Sequence, residues 1–175
     1  MAVNYHYLLT ILVISCGGIP KGYDEGGHSA SITLPSYEID FNLTKASWKN
    51  DPSGLANRKA NITSFGVLGA ALGALFSFYL NDKLGRLWSW RSATLVWATG
   101  DIAQIFANGH YGFLLFARIW MGLGAGALTA VTPMFLSEIA GAKARGSVVS
   151  QYMTALLLWF AVGTSVPSLG VITCR

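Results

Sequence analysis

Two ionisable side chains stand where ionisable side chains are costly. Arg118 lies within residues 117–146, ARIWMGLGAGALTAVTPMFLSEIAGAKARG, an apolar, glycine-rich run that leads through Pro133 and Glu138 to a basic loop ending in Arg145-Gly146. Asp24 follows an apolar run over residues 7–19. A charge inside a membrane segment is expensive and marks function. The chemistry open to this pair is proton exchange: a carboxylate that gains and loses a cationic partner in a low dielectric can also gain and lose a proton. A static ion pair tying two helices together would use the same two residues, and the sequence leaves that alternative open. Lys21 precedes Asp24 by three residues, on the same helical face. It could neutralise Asp24, attract an anionic solute, or snorkel along its helix. Glu25 and His28 read as solvated groups near an outer mouth.

A second constellation, Asp82, Arg86, Glu138 and Arg145, falls at segment ends. Carboxylates and guanidinium groups there can form charge-assisted hydrogen bonds that latch helices in one state and release them in another. Hydrated helix-end charges that only set topology are the plainer alternative. Gly122, Gly124 and Gly126 give their segment a small-residue face, and Gly66, Gly69 and Gly73 mark a similar one. Small residues let membrane helices approach closely. No strand or P-loop lysine frames the Gly-x-Gly-x-Gly run, so it does not read as a phosphate cradle. Asp101, with Gln104 three residues on, adds a further polar pair inside an apolar segment.

These residues need apolar elements to position them, and the composition supplies those. Charged residues make up only 11% of the 175-residue chain and apolar ones 53%, with 20 glycines and 6 tryptophans. Soluble domains carry roughly 25% charged residues. Crossing a bilayer takes about 20 mostly apolar residues, and the pattern predicts an all-helical bundle of five spans, over residues 5–34, 62–80, 90–107, 111–136 and 148–171. Backbone groups in lipid must bond internally, hence helices. Basic residues mark cytosolic loops. Lys83, Arg86 and Arg91 lie in one connection and Lys143 and Arg145 in another, which puts both, and the N-terminus, in the cytosol. The loop over residues 36–61 is then outside. It also holds Lys45, Lys49, Arg58 and Lys59, but its two glycosylation triplets, at Asn42 and Asn61, agree with an outer placement.

Other classes have little support. The net charge of +4 is spread over segment ends, with no basic stripe for nucleic acid. Cys16 and Cys174 give neither a disulfide framework nor metal spacing. No nucleophile–base pair, paired catalytic acids or His-Glu-x-x-His cluster speaks for an enzyme, a cofactor or a metal. The first 18 residues could be a signal peptide, but their leading part has no Lys or Arg.

Taken together, the motifs resemble those of the sugar porter family of the major facilitator superfamily, its fungal members above all. Gly22-Tyr23-Asp24 with Leu34-Pro35-Ser36 and Asp40-Phe41 resembles the family's first helix and its exit. Leu80-Asn-Asp82-Lys83-Leu-Gly85-Arg86 resembles its loop between helices two and three. Arg118 with the three glycines resembles helix four, and Pro133 to Glu138-Ile-Ala with Arg145-Gly146 resembles the joint of helices four and five. There are departures: Phe78, Leu87 and Gly141 replace a glycine, a basic residue and a proline. Met153 replaces a glutamine, Trp159 and Phe160 stand where a sugar-contacting glutamine is expected, and Lys21 occupies an apolar or aromatic position.

The resemblance implies plasma-membrane transport of a sugar, polyol or organic acid. It implies proton coupling through Asp24 and Arg118, and gating through Asp82, Gly85, Arg86, Glu138 and Arg145. It also implies twelve helices in two six-helix halves with the substrate between them, so five spans are less than half a transporter, a truncated product. A non-transporting remnant, sensor or partner subunit is the alternative from another class.

Overall fold

A computed structural model describes residues 5–44, 47–49, 51–141 and 144–173; side chains at 6–8 and beyond 166 are not described. Lys45, Lys143 and Cys174, invoked above, lie outside the described residues. The helices are α1 (Tyr5–Ser15), α2 (Gly18–Ser31), α3 (Pro35–Asp40), α4 (Pro52–Leu84), α5 (Arg86–Ile105), α6 (Tyr111–Ile139) and α7 (Arg145–Thr173), and no strand occurs among the described residues. The all-helical expectation holds, but two boundaries differ from it. The first expected span breaks at Cys16-Gly17 into apolar α1 and polar α2. The second begins ten residues early: α4 has 33 residues, about 50 Å at the standard rise, and so outreaches a ~30 Å hydrocarbon layer. Asp51 caps it, its Oδ1 accepting from the Gly54 amide (3.0 Å) and from Ser53 Oγ (2.6 Å). These donors, Ser53 first, hold the exposed Asp51 carboxyl below its usual value.

Among the described residues three helices are long and apolar enough to cross a membrane: α4, α6 and α7 over Arg145–Val166. The expected spans 5–34 and 90–107 do not qualify on those grounds. The broken, polar α2 and the Asp101-bearing α5 are instead bound lengthwise to helices that do. Glycines set these contacts. Gly69 and Gly73 of α4 abut the carbonyls of Ile119 and Leu123 of α6, while Gly122 and Gly126 abut the carbonyls of Gly66 and Ala70. The two helices therefore run parallel. Gly124 faces α5 instead, against Trp97 and Ala93, and Gly100 faces Met121, which makes α5 antiparallel to α6. Gly18, Gly22 and Gly26 of α2 meet Tyr152, Leu156 and Phe160 of α7, a second parallel pair.

Apolar clusters close both ends of the bundle. Ile11, Ile14, Leu136, Ala140, Val148 and Tyr152 join α1, α6 and α7. Phe41, Leu43, Ile62, Ala107 and Leu114 join the α3–α4 connection to α4 and α6. At this second end Arg58 stacks on Trp48 and Tyr111, each 4.9 Å from the ring centroid, and Lys59 pairs with Glu38 at 2.5 Å. Asn42 lies here in a left-handed turn (φ 54°). Asn61 is exposed but within α4, not in a loop.

Backbone-to-backbone packing leaves no room for a side chain at Gly126. Gly126→Leu is expected to destabilise the chain by about 3 kcal/mol, while Gly112→Ala, where an added Cβ meets nothing within 4 Å, should be neutral or slightly stabilising. Thermal unfolding of both variants in detergent checks this.

Candidate functional site

Close approach of α4, α6 and α7 leaves polar side chains at the middle of the bundle, and Arg118 is the centre of them. It projects from the glycine face of α6 with only 9% of its side chain exposed. Its Nη1 donates to Asp24 Oδ1 at 3.2 Å, and the Asp24 side chain is 13% exposed. The structure thus brings together the two residues singled out from the sequence, 94 positions apart. A buried guanidinium needs a paired charge, because desolvation costs several kcal/mol per ion. Its Nε is buried and has no hydrogen-bond partner.

Two expectations change here. Lys21 does not bond Asp24; it pairs with Glu25, one turn on, at 2.6 Å. His28 is not a solvated residue of an outer mouth: its Nδ1 lies in hydrogen-bonding contact with Arg118 Nη2, and its Nε2 is buried. The signal was available, since His28 stands four residues after Asp24 and therefore on the same face. The glycines at 18, 22 and 26, spaced by four, were equally legible and were missed as the surface that holds α2 to α7.

Two cavities of about 280 Å³ each flank the cluster. Asp24, His28 and Arg118 line both. The first also takes in Lys21, Thr63 and Phe160, and the second Tyr37, Asp101 and Gln104. Gln104 does not bond Asp101; its Nε2 donates to the Met121 sulfur at 3.0 Å. Of the substituted positions, Phe160 faces the first cavity and Met153 is half exposed. Among the described residues no group of His, Cys, Asp and Glu could hold a metal.

The second constellation comes together only in part. Arg86 Nε donates to both oxygens of Glu138 (3.0 and 3.1 Å), and Nη2 lies 3.0 Å from Oε1. This forked pair ties the start of α5 to the end of α6. Asp82 is 85% exposed and 3.9 Å from Arg86, a loose contact. Arg145 opens α7, exposed, with no ion pair among the described residues. Gly85, between α4 and α5, has φ 80° and ψ 162°, a region that essentially only glycine occupies.

The sequence matches the family model described as sugar (and other) transporter over residues 10–166, and the chain belongs to that family. With its membrane-length apolar helices it is a multi-pass membrane protein. It is 30% identical to the hexose transporter HXT14 of Saccharomyces cerevisiae over 162 residues, which are 89% of this chain and 30% of that protein. It is 34% identical to a probable quinate permease of Aspergillus terreus over 151 residues, 85% of this chain and 27% of the relative. Its fold matches that of the E. coli xylose transporter XylE in an inward-open conformation, with a TM-score of 0.72 at 20% identity, over 89% of this chain and 38% of that one. The proton:xylose symporter XylE bound to 6-bromo-6-deoxy-D-glucose gives 0.70 at 24%, over 91% and 36%. The chain therefore spans about 30% of the length of the curated relatives it matches.

Two variants test the forked pair and the glycine beside it. Gly85→Ala should cost about 1–3 kcal/mol of stability from backbone strain alone. Arg86→Glu and Glu138→Arg should each lower the unfolding temperature in detergent, and the double swap should recover much of the loss; no recovery would show the pair to be incidental.

Proposed function

We propose that this chain forms a helical bundle of a proton-coupled transporter for sugars or chemically related polyols and acids, lodged in the plasma membrane with its N-terminus in the cytosol. The observation that carries this reading is the buried Asp24–Arg118 pair with a cavity on either side. A carboxylate held by a cation in a low dielectric stays ionised while the contact lasts; when the contact opens, a proton becomes the cheaper partner. Separation of α2 from α6 would thereby be tied to proton uptake, which is the coupling a symporter requires.

Substrate class follows from the relatives, named as hexose transporters and quinate permeases, and proton coupling is in keeping with a structural neighbour described as a proton:xylose symporter. Hexoses and quinate share a ring of hydroxyl groups, and quinate adds a carboxylate. In this reading the substrate lies between the present bundle and a second one. The Arg86–Glu138 pair serves as a latch at the cytosolic face, released when the bundles rock; Asp82 contributes little to it, and Arg145 could act only after moving. The glycosylation triplet at Asn42 suits an outer placement better than the one inside α4.

Uptake in transporter-deficient yeast tests the proposal. Labelled xylose, glucose and quinate are supplied to cells expressing the 175-residue chain, alone or joined to the C-terminal bundle of a curated relative, with surface expression verified. At least one solute should accumulate with the joined form. Asp24→Asn should abolish proton-driven accumulation and leave exchange of labelled for unlabelled solute in place. Absence of transport by every surface-expressed form would favour a non-transporting membrane partner.

A further inference from the structure

We propose that His28 is a second proton site on the same guanidinium, and that its protonation transfers Asp24 from Arg118 to His28. This extends the reading of Asp24 and Arg118 as the proton-handling pair and rests on it.

The argument starts from donors and acceptors. A guanidinium keeps its charge in proteins and can only donate. Arg118 Nη2 is in hydrogen-bonding contact with His28 Nδ1, so Nδ1 presents a lone pair there. His28 is then neutral, and its single ring proton sits on Nε2. That Nε2–H is buried and has no partner, and a buried unsatisfied donor costs about 1–3 kcal/mol. His28 thus sits in an incompletely satisfied state, held by one contact that exists only while Nδ1 carries no proton.

A proton arriving from water at Nδ1 forms one N–H bond and breaks none, and it raises the charge of the cluster by one. It sets an imidazolium against a guanidinium, and the contact must open. The charged groups around His28 decide where its new donor turns. On α2 itself these are Lys21, Asp24 and Glu25, and Lys21 and Glu25 already pair with each other. Arg118 comes from α6, Asp101 from α5 and Tyr37 from α3. Thr63 and Gly66 of α4 and Phe160 of α7 line the same space and carry no ionisable group. The nearest carboxylate by sequence is Asp24, four residues before His28 and on the same helical face, the spacing at which an acid and a following cation attract. Protonated His28 takes Asp24 as its partner. Arg118 is left to face Asp101 or an anionic solute such as a carboxylate. One proton at His28 would therefore exchange an ion pair between α2 and α6 for one within α2, and so loosen the link between two helices.

Nuclear magnetic resonance of the full chain in lipid nanodiscs tests this directly. The protein carries ¹⁵N-labelled histidine and arginine, with His6→Gln and His110→Gln used for assignment. At alkaline pH His28 should show an unprotonated Nδ1 and a protonated Nε2. On acidification both nitrogens should become protonated, and the Arg118 side-chain signals should move with the same midpoint. In His28→Gln, whose amide oxygen can still accept from Arg118 but takes no proton, that movement should vanish. A proton on Nδ1 at alkaline pH, or Arg118 signals that follow one course in the wild type and in His28→Gln, would overturn the proposal. The tautomer is read on the unsubstituted His28, so poor folding of the variant leaves the test decisive. No transport is needed, and failure here leaves the uptake experiment with Asp24→Asn to judge the broader function by itself.

Discussion

A guanidinium cannot be left alone in a low dielectric, and most of what is distinctive in this bundle follows from placing one there. Arg118 is carried by the most buried helix, on a stretch where glycines let α4 and α5 approach to backbone contact. The same closeness that excludes lipid from α6 also excludes water, so the charge needs compensation from protein. Asp24 supplies it, which requires α2 to reach the middle of the bundle although its sequence is too polar to be held there by apolar burial. Glycine packing against α7 provides the remaining attachment. Ion pair and glycine seam are thus two halves of one solution: the first needs α2 near α6, the second keeps it there.

Nor are the three glycines of α6 interchangeable. Gly122 and Gly126 admit α4, and Gly124 admits α5 from the other side. Positions two apart on a helix diverge by about 200°, so alternating glycines open two faces at once. That explains a Gly-x-Gly-x-Gly run with no phosphate to bind. It also explains why α5, with Asp101 within it, can accompany α6 along its length.

Much of this architecture was legible in the sequence. Apolar segments and the helical requirement of lipid gave the fold class, and charge in apolar surroundings gave Asp24 and Arg118 before any contact was seen. What escaped has physical reasons. The break at Cys16-Gly17 carries no proline, and an apolar run followed by a polar one reads as a single segment with an odd end. The early start of α4 was hidden because residues 52–61 are hydrophilic; their helicity comes from the Asp51 cap and from Arg58 and Lys59 contacts with distant residues. His28 was misjudged because its neighbours in sequence, Glu25 and Ser29, are exposed, whereas its partner lies 90 positions away. Lys21 could have reached either carboxylate on its helix, and only coordinates choose Glu25.

The bundle consists of two glycine-sealed layers, α2 with α7 and α4 with α6 and α5. Within a layer, backbones touch. Between layers, the middle is held by an ionic contact and by the cavities beside it, with apolar clusters only toward the ends. Such a laminate resists bending but yields to shear along its weak plane. Its compliance is set by a few exchangeable hydrogen bonds and not by the whole apolar interior, so a change of a single elementary charge has mechanical leverage over some tens of residues.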